Sequence, residues 1–137
     1  MRAVLDPNVI VSAALSRSGT PAKVLRAWLE GLYVLLVSPV LLGELERVLG
    51  YPKIASRVTR QEADELMDLL RRQAQSMEDP EGPPAVTSSD PDDDYLIALA
   101  EAARVVVVSG DAHLLSLVDQ IPVYSPAAFL AFSDSVR

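Results

Sequence analysis

The chain has 137 residues, half of them hydrophobic, which suits one domain with a real core and calls for no second one. It has no cysteine, so disulfides, thiolate zinc sites and a cysteine nucleophile are excluded, and His113 is the only histidine, so a zinc site would have little but carboxylates to work with. A net charge of −7 argues against a general basic coat for nucleic acid.

In chain order, apolar runs with strand character occupy Ala3 to Leu5, Tyr33 to Val37, Val105 to Val108 and Ile121 to Tyr124, with helical patterns between them. This alternation predicts an α/β fold with a central parallel sheet flanked by helices. Thr20-Pro21, Ser38-Pro39 and Ser125-Pro126 each place a capping hydroxyl before a proline at the first helical position. Thr59 to Glu62 has the spacing of a capping box and predicts a helix to about Met77, with Ala63, Leu66, Met67, Leu70 and Ala74 on one face. Residues 78 to 89 hold Pro80, Gly82, Pro83 and Pro84 and read as an exposed connection inside a single domain spanning 1 to 137. The N-terminus enters its first apolar run without a basic leader, and no apolar stretch reaches the roughly 20 residues of a membrane helix. A soluble, cytoplasmic protein without a membrane partner is expected.

Four acids stand out against this pattern. Asp6 ends the first apolar run, Glu44 lies about 7.5 Å along the helix that starts at Pro39, Asp93 opens a later helix, and Asp111 follows Val105 to Gly110. Helix N-termini and strand C-termini share one edge of a parallel sheet, so the four converge on one rim. Oxygen ligands of this kind suit Mg²⁺ or Mn²⁺. Each acid also has an ordinary structural reading. Asp6-Pro7-Asn8 fits a turn, Glu44 can pair with Arg47, Asp90 before Pro91 fits a cap, and Asp92 and Asp94 suit a first helical turn. Six of the twelve basic residues lie between Arg47 and Arg72, and a solvated helical surface accounts for each of them. Trp28 and Tyr33 read as core or interface residues rather than a base-stacking platform.

Asp6-Pro7-Asn8-Val9, the helix around Glu44, the segment Asp90 to Ala100 and the ending Val108-Ser109-Gly110-Asp111 together resemble the PIN-domain ribonucleases, especially their toxin-like, VapC-type bacterial and archaeal branch. The resemblance covers nearly the whole chain and implies a three-layer PIN-like fold. It also implies a Mg²⁺- or Mn²⁺-dependent endoribonuclease, a hydrolase acting on RNA as the toxin of a toxin-antitoxin system. An antitoxin partner and a homodimer or higher homo-oligomer come with that reading. The family's catalytic and metal-binding acids fall on Asp6, Glu44, Asp93 and Asp111. Asn8, Ser109, Asp90 and Asp94 are supporting candidates, the last two requiring a shifted alignment. Two positions depart from the family: Pro7 stands where threonine is usual, and Ser109 replaces the threonine before Gly-Asp. Pro7 leaves open a second reading, a catalytically weakened PIN-like module that binds a partner protein or RNA.

Other strand-end aspartate chemistries fit less well. A haloacid-dehalogenase-type phosphatase needs a second aspartate where Asn8 stands, and a receiver domain needs a strand-end lysine that neither Lys23 nor Lys53 supplies. No glycine-rich turn follows the first strand, which removes a P-loop or dinucleotide site.

Overall fold

The structure, a computed structural model, describes residues 1 to 135; residues 136 and 137, part of the single domain expected, lie outside the described residues. The chain runs β1 (Arg2–Leu5), α1 (Pro7–Leu15), α2 (Thr20–Leu29), β2 (Val34–Val37), α3 (Pro39–Leu49), α4 (Pro52–Ala55), α5 (Arg60–Gln73) and β3 (Gln75–Ser76). After a 3₁₀ turn at Pro91–Asp93 come α6 (Asp94–Ala103), β4 (Val106–Val108), α7 (Ala112–Leu115), β5 (Val123–Tyr124) and α8 (Pro126–Ser135). The five strands form one parallel sheet in the order β3-β2-β1-β4-β5, flanked by helices as the alternation predicted.

β1 lies at the centre of the sheet, and its apolar residues Ala3, Val4 and Leu5 are wholly inaccessible. They pack with Leu35, Leu36, Ile97, Val107 and Phe129 in one core, where each fully buried large side chain contributes about 1.5–3 kcal/mol. Trp28 and Tyr33 belong to this core, and the Tyr33 hydroxyl donates to the Val24 carbonyl at 2.9 Å while its ring meets Phe129 edge-on. Leu5 is in register with Val108, so Asp6 and Ser109 leave adjacent strands side by side.

The predicted caps hold at three of four helix starts. Ser38 accepts from Leu41 N, Ser125 accepts from Ala128 N, and Thr59 and Glu62 form the reciprocal capping box. Thr20 does not cap α2. Gly19 is the half-in residue, its carbonyl accepting from Lys23 N, and Thr20 already lies within the first turn. The helix expected to reach Met77 stops at Gln73, where Ala74 turns extended (φ −77, ψ 155). Gln75 and Ser76 then pair with Leu36 and Val37 as a fifth strand absent from the sequence reading. Two exposed polar residues carry no strand periodicity; the unpaired edge of β2 recruits them through backbone bonds alone.

Residues 78 to 89 form no regular element, yet they are tied down by acids. Asp79 accepts from Ser38 Oγ (2.7 Å) and Val40 N (2.9 Å), Glu101 accepts from Ala85 N and Val86 N, and Asp94 accepts from Ser88 N. Among the described residues no helix is long and apolar enough to cross a membrane.

Candidate metal centre

Asp6 is the N-cap of α1 and only 4% exposed. Its Oδ1 accepts from Asn8 N at 3.0 Å and its Oδ2 from Ser109 Oγ at 2.8 Å, while its own N–H donates to Val108 O. Burial raises its carboxyl above the ordinary aspartate range; the two hydrogen bonds oppose that rise and the Asp111 charge adds to it. Pro7 sits at the first helical position, where an N–H would have no partner inside the helix, so the proline removes no helical bond.

Ser109, wholly buried at the end of β4, uses its hydroxyl twice: it donates to Asp6 and accepts from Asp111 N at 2.9 Å. Asp111 caps α7 by accepting from His113 N at 2.7 Å. His113 meets Ser89 Oγ through its Nδ1 at 2.5 Å.

The three acids around the 3₁₀ turn have different environments. Asp90 accepts from Asp92 N and closes its own turn, and Asp94 is engaged by Ser88 N. Asp93 has neither duty: its Oδ2 is buried and has no hydrogen-bond partner. Burial pushes its carboxyl up to about 7, with the charges of Asp111, Asp6 and Asp90 adding and hydrogen bonding to the Asp111 side chain contributing last. A buried carboxylate oxygen with no donor, among like charges, is in deficit of positive charge.

Glu44 stands apart from these three. It is half-buried on α3 and held by Arg47, one turn on, with Nη2 to Oε2 at 2.6 Å and Nε to Oε1 at 3.3 Å. Its charge is nonetheless felt at Tyr95 on α6, whose hydroxyl is held well above the usual tyrosine range by burial and then by Asp6, Glu44, Asp93 and Asp79. Sequence reading gave no role to Tyr95 or Asp79. The only signal for Tyr95 was an aromatic beside Asp94 in an otherwise aliphatic helix start, and Asp79 had none.

Among the described residues no group of three or more histidine, aspartate or glutamate side chains is arranged to hold a metal ion. The donor chemistry nevertheless fits a hard divalent cation: the ligands are oxygens only, Asp93 Oδ2 lacks a partner, and Asp6 and Asp93 are both destabilised as anions. A cavity of about 310 Å³ opens beside the rim, lined by Asp6, Asn8, Ser12, Pro21, Gly110 and Asp111. A second, of about 260 Å³, lies between Asp79, Pro83, Asp94 and Tyr95.

A sequence profile described as PIN domain matches residues 2–113. Similar solved structures include VapBC2 from Rickettsia felis bound to a DNA fragment from their promoter, with 14% identity and a TM-score of 0.61 over 91% of this chain and 98% of that one. FitAcB from Neisseria gonorrhoeae is similar at 19% identity and a TM-score of 0.54, over 91% of this chain and 98% of that one. A domain of a functionally unknown protein from Methanocaldococcus jannaschii DSM 2661 gives 12% identity and a TM-score of 0.55, over 90% and 89%. These similarities concern the fold. No curated protein matches the sequence.

Proposed function

The chain belongs to the PIN-domain family, and on that premise we propose that it is a Mg²⁺- or Mn²⁺-dependent endoribonuclease, the toxin of a toxin-antitoxin pair. The observation that carries the reading is the buried Oδ2 of Asp93, unpartnered and facing the charges of Asp6 and Asp111. Such an arrangement costs stability unless a cation or a proton offsets it, and natural proteins tolerate that cost where function needs it. Similarity to VapBC2 and FitAcB supports an antitoxin partner. Membership of the family also motivates a cytoplasmic homodimer or higher homo-oligomer.

In this reading Asp6, Asp93 and Asp111 hold the ion, and Glu44 serves as a further ligand or positions a water. A divalent cation held there would supply Lewis-acid activation of a water for attack on a phosphodiester and offset charge on the leaving oxygen. The chain's own groups prepare that site. Asn8 N–H and Ser109 Oγ–H fix the two oxygens of Asp6, which leaves its remaining lone pairs for a cation. Ser109 also sets the Asp111 backbone, so one hydroxyl fixes two ligands from the same strand end. Asp93 arrives from the opposite helix start with one oxygen uncommitted. Tyr95 stays protonated near the acids and adds no negative charge. Asp90 and Asp94 are assigned to loop geometry rather than to the ion.

A weakened, partner-binding module is the second reading, and the Glu44–Arg47 pair favours it, because that pair occupies the fourth acid. Cleavage of single-stranded RNA by purified protein separates the two. The nuclease reading expects turnover with Mn²⁺ or Mg²⁺ that EDTA abolishes and that Asp93→Asn removes; no cleavage of varied RNAs in saturating Mn²⁺ would leave the binding module.

A further inference from the structure

The cavity of about 310 Å³ beside the acids has two polar side chains in its wall, Asn8 and Ser12, to which the ion site gives no duty. They lie four residues apart on α1, about 6 Å along its axis, so both stand on one face of the helix, and both residues are exposed. Asp6 caps the same helix and accepts from the Asn8 N–H at 3.0 Å, which ties the helix start to the carboxylate. Asp6 and Asp111 line this cavity too, so the amide, the hydroxyl and two of the acids open onto one space. Among the described hydrogen bonds neither the Asn8 side-chain amide nor the Ser12 hydroxyl is used, whereas Ser38, Ser109 and Ser125 engage theirs with backbone or carboxylate partners.

The rest of the wall selects among the parts of a nucleotide. Val9, Pro21 and Pro126 give it aliphatic surface, and the lining holds no cation and no aromatic ring. A phosphate in this space finds two carboxylates and no positive side chain, and a base finds no face on which to stack. A ribose meets neither obstacle. It is neutral, its C–H groups pack on aliphatic surface, and its 2′-hydroxyl both donates and accepts, as the amide and hydroxyl facing the cavity do. The volume is well above what a single water needs.

We infer that this cavity holds the ribose of a nucleotide next to the cleaved bond, with Asn8 and Ser12 hydrogen-bonded to its 2′-hydroxyl. The inference rests on the ribonuclease reading and adds to it the contact by which the site tells RNA from DNA. Because Asp6 and Asp111 share the cavity, a sugar seated there brings its own phosphate to the acids.

The test is binding of a fluorescein-labelled single-stranded RNA, read by anisotropy with Ca²⁺ in place of Mg²⁺, against the same oligomer carrying one 2′-deoxy substitution at each position in turn. For the wild type, one position should lose about tenfold in affinity, the scale of two modest neutral hydrogen bonds. Asn8→Ala and Ser12→Ala should each bind the all-ribose oligomer about threefold more weakly, and the oligomer deoxy at that position as well as the wild type does, because the lost partner is the same hydroxyl. The double variant should no longer distinguish the two oligomers, and Ser12→Thr, which keeps the hydroxyl, should retain most of the discrimination. Alanine suits a helix at both positions, and circular dichroism melts confirm that each variant is folded. If the wild type cleaves RNA yet no deoxy position weakens binding, or if the variants lose the ribose and deoxy oligomers equally, the ribose pocket is wrong and the ribonuclease reading survives. If the wild type neither binds nor cleaves RNA, both are overturned together.

Discussion

Ser109 donates its hydroxyl to Asp6 Oδ2 at 2.8 Å, across a sequence separation of 103 residues, at the point where β1 and β4 end side by side. The bond is wholly buried on the serine side, so its loss cannot be made good by water. Ser109→Ala should therefore lower stability by about 1.5–3 kcal/mol, the range for a buried hydrogen bond to a charged group. It should also weaken Mn²⁺ binding, because Asp6 loses one of the two donors that favour its anion. Urea denaturation and a Mn²⁺ titration check both; an unchanged midpoint would mean the bond contributes little.

Asp6→Asn keeps a good capping residue and nearly the same volume while deleting a buried charge from a repelling cluster. The metal-free protein should gain about 0.5–2 kcal/mol, and the Mn²⁺-induced rise in melting temperature should disappear. A mutant that melts lower without metal and keeps the full Mn²⁺ shift would show that the site is misplaced.

The Asp93 carboxyl gives the stability of the metal-free fold a pH signature. Its folded value of about 7 lies above the ordinary 3.8, so between those two pH values the folded state holds a proton that the unfolded state has released. Stability from this group is complete below 3.8 and is lost as pH rises through about 7, the opposite sign to a salt-bridged aspartate. Protection by Mn²⁺ should grow over the same interval, because the ion binds the deprotonated form. Denaturation in EDTA from pH 4 to 8 should show this decline in the wild type and a flatter profile in Asp93→Asn. Equal profiles would remove Asp93 from the centre.

Asp79 clamps the start of α3 through Ser38 Oγ and Val40 N, and α3 carries Glu44. Asp79→Ala should cost about 1 kcal/mol as a lost helix cap, and Asp79→Asn should recover part of it. Hydrogen exchange should then quicken at Val40 and Leu41. Protection equal to the wild type would assign the clamp to Ser38 alone.

Pro7 occupies a helix position that needs no backbone donor, so its departure from the family's threonine is tolerated by the fold. Pro7→Thr should change stability by less than about 1 kcal/mol and alter turnover only modestly. A large gain in metal-dependent cleavage would instead identify Pro7 as the cause of a weakened enzyme.

The sequence by itself determined the parallel α/β alternation and the capped helix starts at Ser38, Thr59 and Ser125. Those features rest on local periodicity, on proline and hydroxyl chemistry, and on the rule that parallel strands end where helices begin. Tertiary structure decided the rest. It recruited Gln75 and Ser76 to a free sheet edge, through backbone bonds that leave no side-chain pattern. It separated Asp93 from Asp90 and Asp94, three similar acids within five residues, because only contacts with Ser88, Asp92 and the distant Asp6 and Asp111 distinguish them. It likewise made Asp79 a cap on a helix 39 residues earlier and placed Tyr95 among acids from several elements. A carboxylate's role depends on the donors and charges around it, and those come from parts of the chain that only folding brings together.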